Sequence, residues 1–466
     1  MKICVLGSGG REHALCEALN RSKKIVQLYC CPGNAGTAKI AKNYDLDLEK
    51  FEDVKNFILK YKIDLVVVGP EKPLVDGLVD YLEQFNIKVF GPNKKASQLE
   101  GSKIFTKKIC EKYKIPTAKF GIFENESDSK EFLKKSKYPI VIKADNLAAG
   151  KGVYICEKLS DAKNAVEEIF NGKFGYAKNI LIEEFIEGEE MSFFVISDGV
   201  TIKNFGTAQD HKRVLEGDKG KNTGGMGAYS PSRLINKDLE KKILNKIIYP
   251  TIQALKDLKT DYIGFLYAGL MISKNEPYLI EYNVRMGDPE CQTILPMLTN
   301  DLEEILIACC EKKLNQVNIE WKNKKSLCVV LCSKGYPENY EKNIEISGLT
   351  NINLTKNDYL FHAGTFEKNQ KRIIEVFNSE IKLLQSAFNE MRAIYKPQIE
   401  EKKEPNKNSE FITIKEFFAI LKRANKSEIE IKGIIFNAIK KGDKRFIYNK
   451  VDKRLLILND NFEDLI

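Results

Sequence analysis

The first hundred residues alternate short apolar runs with helix-like stretches. KICVLG opens the chain and leads into a helix signal from about Arg11. VQLYCC, DLVVVG and IKVFG follow as three more strand-like runs. Such alternation predicts a parallel sheet with helices on both faces. Ligands then sit at the carboxyl ends of the strands, where GSGGREH, PGNAGT and GPEKPL fall. A further helix signal runs from Lys103 to the Ile115-Pro116 step, a boundary because the residue before proline avoids helical angles. Residues 117–190 read as a small lobe with strands at YPIVIK and ILIEEF. A central lobe resumes near Met191 and runs to about Lys325, with two long strand signals and a Gly-rich loop at residues 217–227. LCVVLCSKGYP opens another lobe, and residues 381–395 keep an amphipathic helical pattern. The polar run EEKKEPNKNSE reads as a linker. Beyond it, residues 411–466 read as two helices and a hairpin, RFIYNKVDKRLLIL.

The richest segment is PYLIEYNVRMGDPE, residues 277–290. As a strand, it sends alternate residues to opposite faces. Tyr278, Ile280, Tyr282 and Val284 are expected in the core, with Glu281, Asn283 and Arg285 on the other face. A carboxylate and an amide oxygen two residues apart suit Mg2+ holding phosphate oxygens. The arginine suits an anionic substrate. The plain alternative is a half-exposed strand with a polar outer face.

A second segment, YPIVIKADNLAAGKGV, places Lys143 near the end of a strand and Gly150, Lys151 and Gly152 in a small-residue loop. Backbone N–H groups and an ammonium there can cradle phosphates. It is not a Walker A loop, because Asp145 and Gly152 stand where Gly and Ser or Thr are required. A glycine hairpin turn remains the alternative.

Composition narrows the classes. Of 466 residues, 43% are apolar and 30% charged, as in a globular protein of several domains. No apolar run approaches the ~18 residues of a membrane span, and no signal peptide opens the chain. Eleven scattered cysteines form no C-x-x-C pair, which points to reduced core thiols and a cytoplasmic setting. The net charge of +9 is spread without a dense basic block, so a lysine-rich solvated surface is favoured over nucleic-acid binding. The Gly7-Ser8-Gly9-Gly10 run fails the dinucleotide fingerprint, since Glu12 stands in place of the third Gly; a loop for a single phosphate fits better.

Taken together, these segments resemble the ATP-grasp fold. Within it the chain resembles the phosphoribosylamine–glycine ligase (glycinamide ribonucleotide synthetase) family. The matching phrases are KICVLGSGGREHAL, CPGNAGTA, VVVGPEKPLVDGL, GSKIFTK, AQDHKR, NTGGMGAYSP and LYAGLM. The resemblance holds through about Leu298, weakens to about Lys396 and then stops. It implies a multidomain α/β chain. Residues 1–100 form an N-terminal parallel α/β substrate domain, and residues 101–326 an ATP-grasp domain with a mobile lid lobe at 117–190. A small C-terminal lobe takes 327–396 and an extra α+β tail 411–466. A monomer is expected.

The implied reaction joins glycine to 5-phosphoribosylamine at the expense of ATP, a step of purine synthesis. Another ATP-grasp carboxylate–amine ligase, or an inactive nucleotide-binding relative, is the alternative. No side-chain nucleophile is needed; the work is positioning and charge neutralisation. By resemblance, Lys103, Lys143, Gly150, Lys151 and Gly152 would meet ATP phosphates, and Glu183, Glu184, Phe185 and Ile186 would form the adenine hinge. Glu190 would hold the ribose. Glu281 and Asn283 would hold Mg2+ or Mn2+. Asp210 can bind the glycine ammonium, and Lys212 and Arg213 can bind anions, although AQDHKR also reads as a solvated loop. Arg285 would neutralise the transferring phosphoryl group or the glycine carboxylate, and Asp288 orients the amine or forms the turn. Gly224, Gly225, Met226 and Gly227 offer backbone N–H groups to an anion. Gly9, Gly10 and Arg11 would meet the phosphate of phosphoribosylamine, with Asn34, Gly36, Pro70, Pro289 and Glu290 around the same substrate. Glu71 contacts its ribose or caps a helix. His13 and His362 read as packing or loop residues. Two departures stand out: Asn146 replaces a glycine in the phosphate loop, and EKNQKRIIEVF is shortened against the family's C-terminal pattern.

Overall fold

The computed structural model describes residues 1–145, 152–173, 175, 177–215, 219–337, 339–347, 349, 352 and 354–367, and the strand residues 411–412, 446–449 and 454–458. The chain divides into two compact units, Met1–Glu367 and Lys368–Ile466.

The first unit opens with β1 (Lys2–Gly7), β2 (Gln27–Pro32), β3 (Lys42–Asn43), β4 (Leu65–Val68) and β5 (Val89–Phe90). They form a wholly parallel sheet in the order β3-β2-β1-β4-β5. β1 is covered on both faces, with Cys4 and Leu6 in one core cluster and Ile3 and Val5 in another. That is why its sequence is a continuous apolar run rather than an alternation.

A second sheet is antiparallel, in the order β6-β9-β7-β8, from β6 (Phe120–Phe123), β7 (Ile140–Ala144), β8 (Val153–Cys156) and β9 (Ile180–Glu184). The helices Glu126–Lys134 and Leu159–Phe170 belong to the same lobe. Leu133, Ile140, Ile142, Ala162, Val166, Ile180 and Ile182 form a core cluster of their own.

The central sheet uses β10 (Glu189–Asp198), β11 (Ile202–Asp210), β14 (Gly227–Ser230), β15 (Ile263–Ser273), β16 (Glu276–Asn283) and β17 (Ser326–Val329), in the order β16-β15-β10-β11-β14-β17. Between β11 and β14, the hairpin of β12 (Arg213–Leu215) and β13 (Lys219–Asn222) extends outward. The central sheet shares both large cores with the parallel sheet: Phe193 and Val195 join Leu6, while Phe194 and Ile196 join Val5. LCVVLC begins within β17, which pairs with β14 and completes the edge of this sheet.

One sequence expectation is corrected on β16. Its register against β15 shifts between Gly269↔Glu281 and Leu270↔Leu279, leaving Ile280 as an extra residue. This bulge flips the alternation. Leu279, Tyr282 and Val284 are buried, whereas Tyr278 and Ile280 are only half-buried. Glu281 and Asn283 lie past the bulge and keep their shared face.

In the second unit, β18 (Phe411–Ile412), β19 (Phe446–Asn449) and β20 (Arg454–Leu458) form an antiparallel sheet in the order β18-β20-β19. The hairpin read from RFIYNKVDKRLLIL is the β19–β20 pair. The tail helices, the amphipathic segment 381–395, Asn146 and most of EKNQKRIIEVF lie outside the described residues.

Candidate active site

Paired residues of neighbouring antiparallel strands share a face, so the register places the chemistry. Ala208, Ser192, Gly269 and Glu281 stand on one rung from β11 to β16. Asn283 follows opposite Tyr267. Counting two residues along β10 and β11 adds Glu190 and Asp210 to the same face. Gly269 makes room for its neighbour: a Cβ there would lie 3.3 Å from Glu281 Cγ. At this face Lys212 Nζ sits 2.6 Å from Glu190 Oε2 and 4.0 Å from Asp210 Oδ2. Burial, opposed by Lys212 and aided by Glu290 and Glu190, pushes the Asp210 carboxyl up to about 7. Burial works against the Lys212 ammonium, but Asp210 and Glu190 outweigh it and hold its pKa well above the usual lysine value. On the same face, Ser192 Oγ lies 2.9 Å from the Tyr267 hydroxyl and donates to Glu290 Oε1 at 3.0 Å. Glu290 is buried, 3% exposed.

The turn after β16 carries an ionic network reaching into the parallel-sheet domain. Arg285 donates through Nε to Glu71 (3.2 Å), through Nη1 to the Met286 carbonyl (3.3 Å) and through Nη2 to Glu100 (2.7 Å). The other Glu100 oxygen accepts the Val284 N–H at 2.8 Å. Arg11, read as a phosphate ligand, is 8% exposed and donates to Glu12 (2.7 Å) and the Met286 carbonyl (3.2 Å). Asp288 accepts the Arg11 N–H at 3.2 Å and the Gln292 amide at 2.5 Å. These bonds stitch the turn to the β1 loop. Glu71 opens the helix Glu71–Asp76 behind Pro70; burial works against its charge, but Arg285 and Arg11 outweigh it and hold its carboxyl below the usual range. Gly9 gives its N–H to Glu12 Oε2 at 2.6 Å, and Gly10 packs against Gln292 so closely that a Cβ would sit 2.5 Å from Nε2.

Toward the second sheet, Lys103 starts the helix Lys103–Tyr113, whose N-cap is Ser102. Asp145 supports the same helix end, accepting the Ile104 N–H at 3.2 Å. Burial lowers the Lys103 pKa, with Glu281 pulling the other way and Lys143 reinforcing it. Lys143 Nζ is 2.5 Å from Glu183 Oε2, and Lys107 Nζ pairs with Glu183 Oε1. The three side chains are 7%, 3% and 3% exposed for Lys143, Glu183 and Lys107. Glu184 turns outward and accepts the Lys119 N–H at 3.1 Å. Phe185 is exposed and Ile186 half-buried. Gly152 accepts the Ala144 N–H at 3.0 Å, while Gly150 and Lys151 lie outside the described residues.

Asn34 is buried, and its amide is fully engaged: it donates to the Ser8, Gly9 and His362 carbonyls and accepts from the Gly36 and Thr37 N–H groups. It ties the loops after β1 and β2 together. His13 Nδ1 accepts the His362 N–H at 2.8 Å, and both rings press on Gly36, where a Cβ would lie 2.1 Å from His13 Cε1. Burial, then His362 and Lys39, lower the His13 pKa to about 4. In the glycine loop three of the four N–H groups already have partners: Gly224 the Tyr336 hydroxyl, Gly225 the Thr223 hydroxyl, Met226 the His211 carbonyl. Gly227 accepts the His211 N–H, with φ at 158°. Arg213, on the outer hairpin, donates to the Gly220 carbonyl at 3.3 Å, and Pro289 packs where a Gly225 Cβ would go.

The sequence reading missed Glu100, Lys107 and Gln292. Lys107 had a usable signal, since it lies four residues after Lys103 on one helix face. Glu100 had none, because its partners are 184 and 185 residues away.

The chain matches the family described as phosphoribosylglycinamide synthetase through its N domain (residues 1–100), its ATP-grasp (A) domain (101–291) and its C domain (326–387). A phosphoribosylamine–glycine ligase of Caldanaerobacter subterraneus subsp. tengcongensis is 44% identical over 406 residues, covering 86% of this chain and 96% of that protein. A chloroplastic phosphoribosylamine–glycine ligase of Arabidopsis thaliana is 46% identical over 363 residues, covering 76% and 68%. The crystal structure of phosphoribosylamine–glycine ligase from Thermotoga maritima superposes with a TM-score of 0.68 at 33% identity, over 79% of this chain and 88% of that one. The biotin carboxylase domain of Hydrogenobacter thermophilus 2-oxoglutarate carboxylase, solved with MgADP, shares the fold at 19% identity and a TM-score of 0.54, over 70% and 73%. With all three domain descriptions matched in order and such relatives along most of its length, the chain belongs to the phosphoribosylglycinamide synthetase family and has its ATP-grasp fold.

Proposed function

We propose that this chain joins glycine to 5-phosphoribosylamine, converting ATP to ADP and phosphate and yielding glycinamide ribonucleotide. The observation that carries the reading is one sheet face on which Glu190, Asp210, Lys212, Glu281 and Asn283 converge, bordered by the Arg285–Asp288 turn. The glycine carboxylate attacks the γ-phosphorus of ATP, forming an O–P bond as ADP leaves. The amine of phosphoribosylamine then attacks the acyl carbon; a C–N bond forms, phosphate leaves, and the nitrogen gives up a proton.

Glu281 and Asn283 fit a hard divalent cation: two oxygen donors on one strand face, half-buried, with Gly269 leaving space beside them. Mg2+ or Mn2+ held there would neutralise phosphate charge. Lys143 and Lys103 add positive charge for the phosphates. Asp210 and Lys212 together offer one carboxylate and one ammonium, the complement of a zwitterionic amino acid. Asp288 and Arg11 fix the β1 loop against the turn beside the site read for the second substrate. The separate core of the β6–β9 lobe suits a rigid lid that closes over the acyl phosphate and excludes water.

Coupled ADP release tests the reading. ADP should appear at full rate only with both glycine and freshly made phosphoribosylamine. Equal ADP release with other amino acids and amines would overturn the substrate assignment.

A further inference from the structure

Two ammonium groups share one buried carboxylate at the root of the lid. Glu183 gives one oxygen to Lys143 and the other to Lys107, and all three side chains are at most 7% exposed. Lys143 and Glu183 lie on the adjacent lid strands β7 and β9, where Val141 pairs with Glu183. Lys107 comes from outside the lid, on the helix Lys103–Tyr113. It also donates to the Thr117 hydroxyl, which donates to the Leu279 carbonyl of β16 at 2.7 Å. Its ammonium lies 5.5 Å from the Phe120 ring centroid. The lysine is thus anchored to the metal strand, the helix and the lid root together.

This arrangement has more positive than negative charge. A lone buried carboxylate is strongly unfavourable, so a residue paired with one is not free to leave it. With Lys107 present, Glu183 keeps a partner whichever way Lys143 turns. We propose that Lys107 is a positioning residue that serves as the reserve counter-ion of Glu183, so that Lys143 can be handed from Glu183 to the phosphates of the bound nucleoside triphosphate. The proposal rests on the reading of Lys143 as a phosphate ligand. It assigns Lys107 no contact with substrate.

The account separates the triphosphate tail from the nucleoside. Lys107→Met, Lys107→Arg, Glu183→Gln and Lys107→Met/Glu183→Gln would be compared with the wild-type chain by calorimetric titration of a non-hydrolysable ATP analogue with Mg2+, and of adenosine. Lys107→Met should weaken the ATP analogue by roughly 30-fold, about 2 kcal/mol, and change adenosine by less than about twofold. Lys107→Arg should stay close to wild type, because the charge remains. With Glu183→Gln as its own reference, the double variant should bind the ATP analogue as well as Glu183→Gln alone, since no carboxylate is left behind when Lys143 turns.

Unchanged ATP-analogue affinity in Lys107→Met would overturn the proposal. So would an equal loss for adenosine, which would make Lys107 a brace for the hinge. A double variant markedly weaker than Glu183→Gln alone would do the same. If Lys107→Met does not fold, the double variant decides: affinity equal to that of Glu183→Gln supports the hand-over, and a further large loss refutes it. These titrations need no turnover. A wild-type chain that binds nucleotide but releases no ADP with glycine and the amine would fail the ligase reading and leave this test intact.

Discussion

Glu100 offers the sharpest separation of stability from turnover. Its carboxylate, 8% exposed, holds Arg285 Nη2 at 2.7 Å and the Val284 N–H at 2.8 Å, fixing the two residues that follow the candidate metal ligand Asn283. Burial raises its pKa, Arg285 opposes, and Glu71 adds to the rise. A raised folded pKa means that the charged form costs folding free energy at neutral pH. Glu100→Gln removes that cost and one charge-assisted bond, and keeps one acceptor for two donors. The two effects are each of order 1–2 kcal/mol and of opposite sign, so the net change in stability should be within about 1 kcal/mol. Glu100→Ala instead leaves the Val284 N–H and one guanidinium edge unpaired beside a small void, for a loss of about 2–4 kcal/mol. Arg285 keeps Glu71 and the Met286 carbonyl, which limits the damage. Turnover should respond differently. A displacement of even ~1 Å at the exit of β16 is worth up to ~100-fold in rate, so both variants should lose about 10–100-fold in kcat. Urea unfolding at pH 7.5 and steady-state ADP release measure the two quantities. Glu100→Gln with kcat within a factor of about two of wild type would refute the positioning argument.

Glu281→Ala and Asn283→Ala should each cost several kcal/mol of transition-state stabilisation with the fold retained; near-normal kcat at saturating Mg2+ would remove them from the metal site. Asp210 titrates near 7 when folded and near 4 unfolded, so the folded unit should lose stability as pH rises from about 4 through about 7, by up to ~4 kcal/mol. Asp210→Asn should flatten that slope in urea midpoints, and an unchanged slope would place the titration elsewhere. His13 behaves with the opposite sign: its folded pKa of about 4 lies below the unfolded value, so stability present above pH ~6.5 is lost as pH falls toward about 4, by up to ~3 kcal/mol. His13→Gln should blunt this acid limb. The described cysteines are free, and burial pushes thiols such as Cys110 up to about 12, so an all-Ser or Ala variant that folds should stay active; trapping a glycyl thioester by mass spectrometry would contradict that.

The parallel sheet was legible because strands buried on both faces leave unbroken apolar runs, as at Ile3–Leu6 and Leu65–Val68. The polar face of β16 was legible too, yet the bulge at Ile280 was not, since nothing in YLIEYN marks an extra residue. Arg11 shows a second limit. A basic residue in a glycine loop looks like a phosphate ligand, but Glu12 and Met286 claim its side chain, and Met286 is 275 residues away. Long-range pairing also puts β17 on the edge of the central sheet, a contact its local sequence does not announce. Phrases local in sequence found the loops, and ionic partners set by tertiary contact stayed hidden.

The central claim is that the glycine carboxylate oxygen is transferred to phosphorus before the amine attacks. Glycine labelled with 18O in its carboxylate, supplied with ATP, Mg2+ and phosphoribosylamine, tests this directly. The account predicts one 18O in the inorganic phosphate for each ligation, and none when glycine or the amine is omitted at single-turnover times. Ligation with unlabelled phosphate would contradict it, because the carboxylate would then have been activated by some route other than an acyl phosphate.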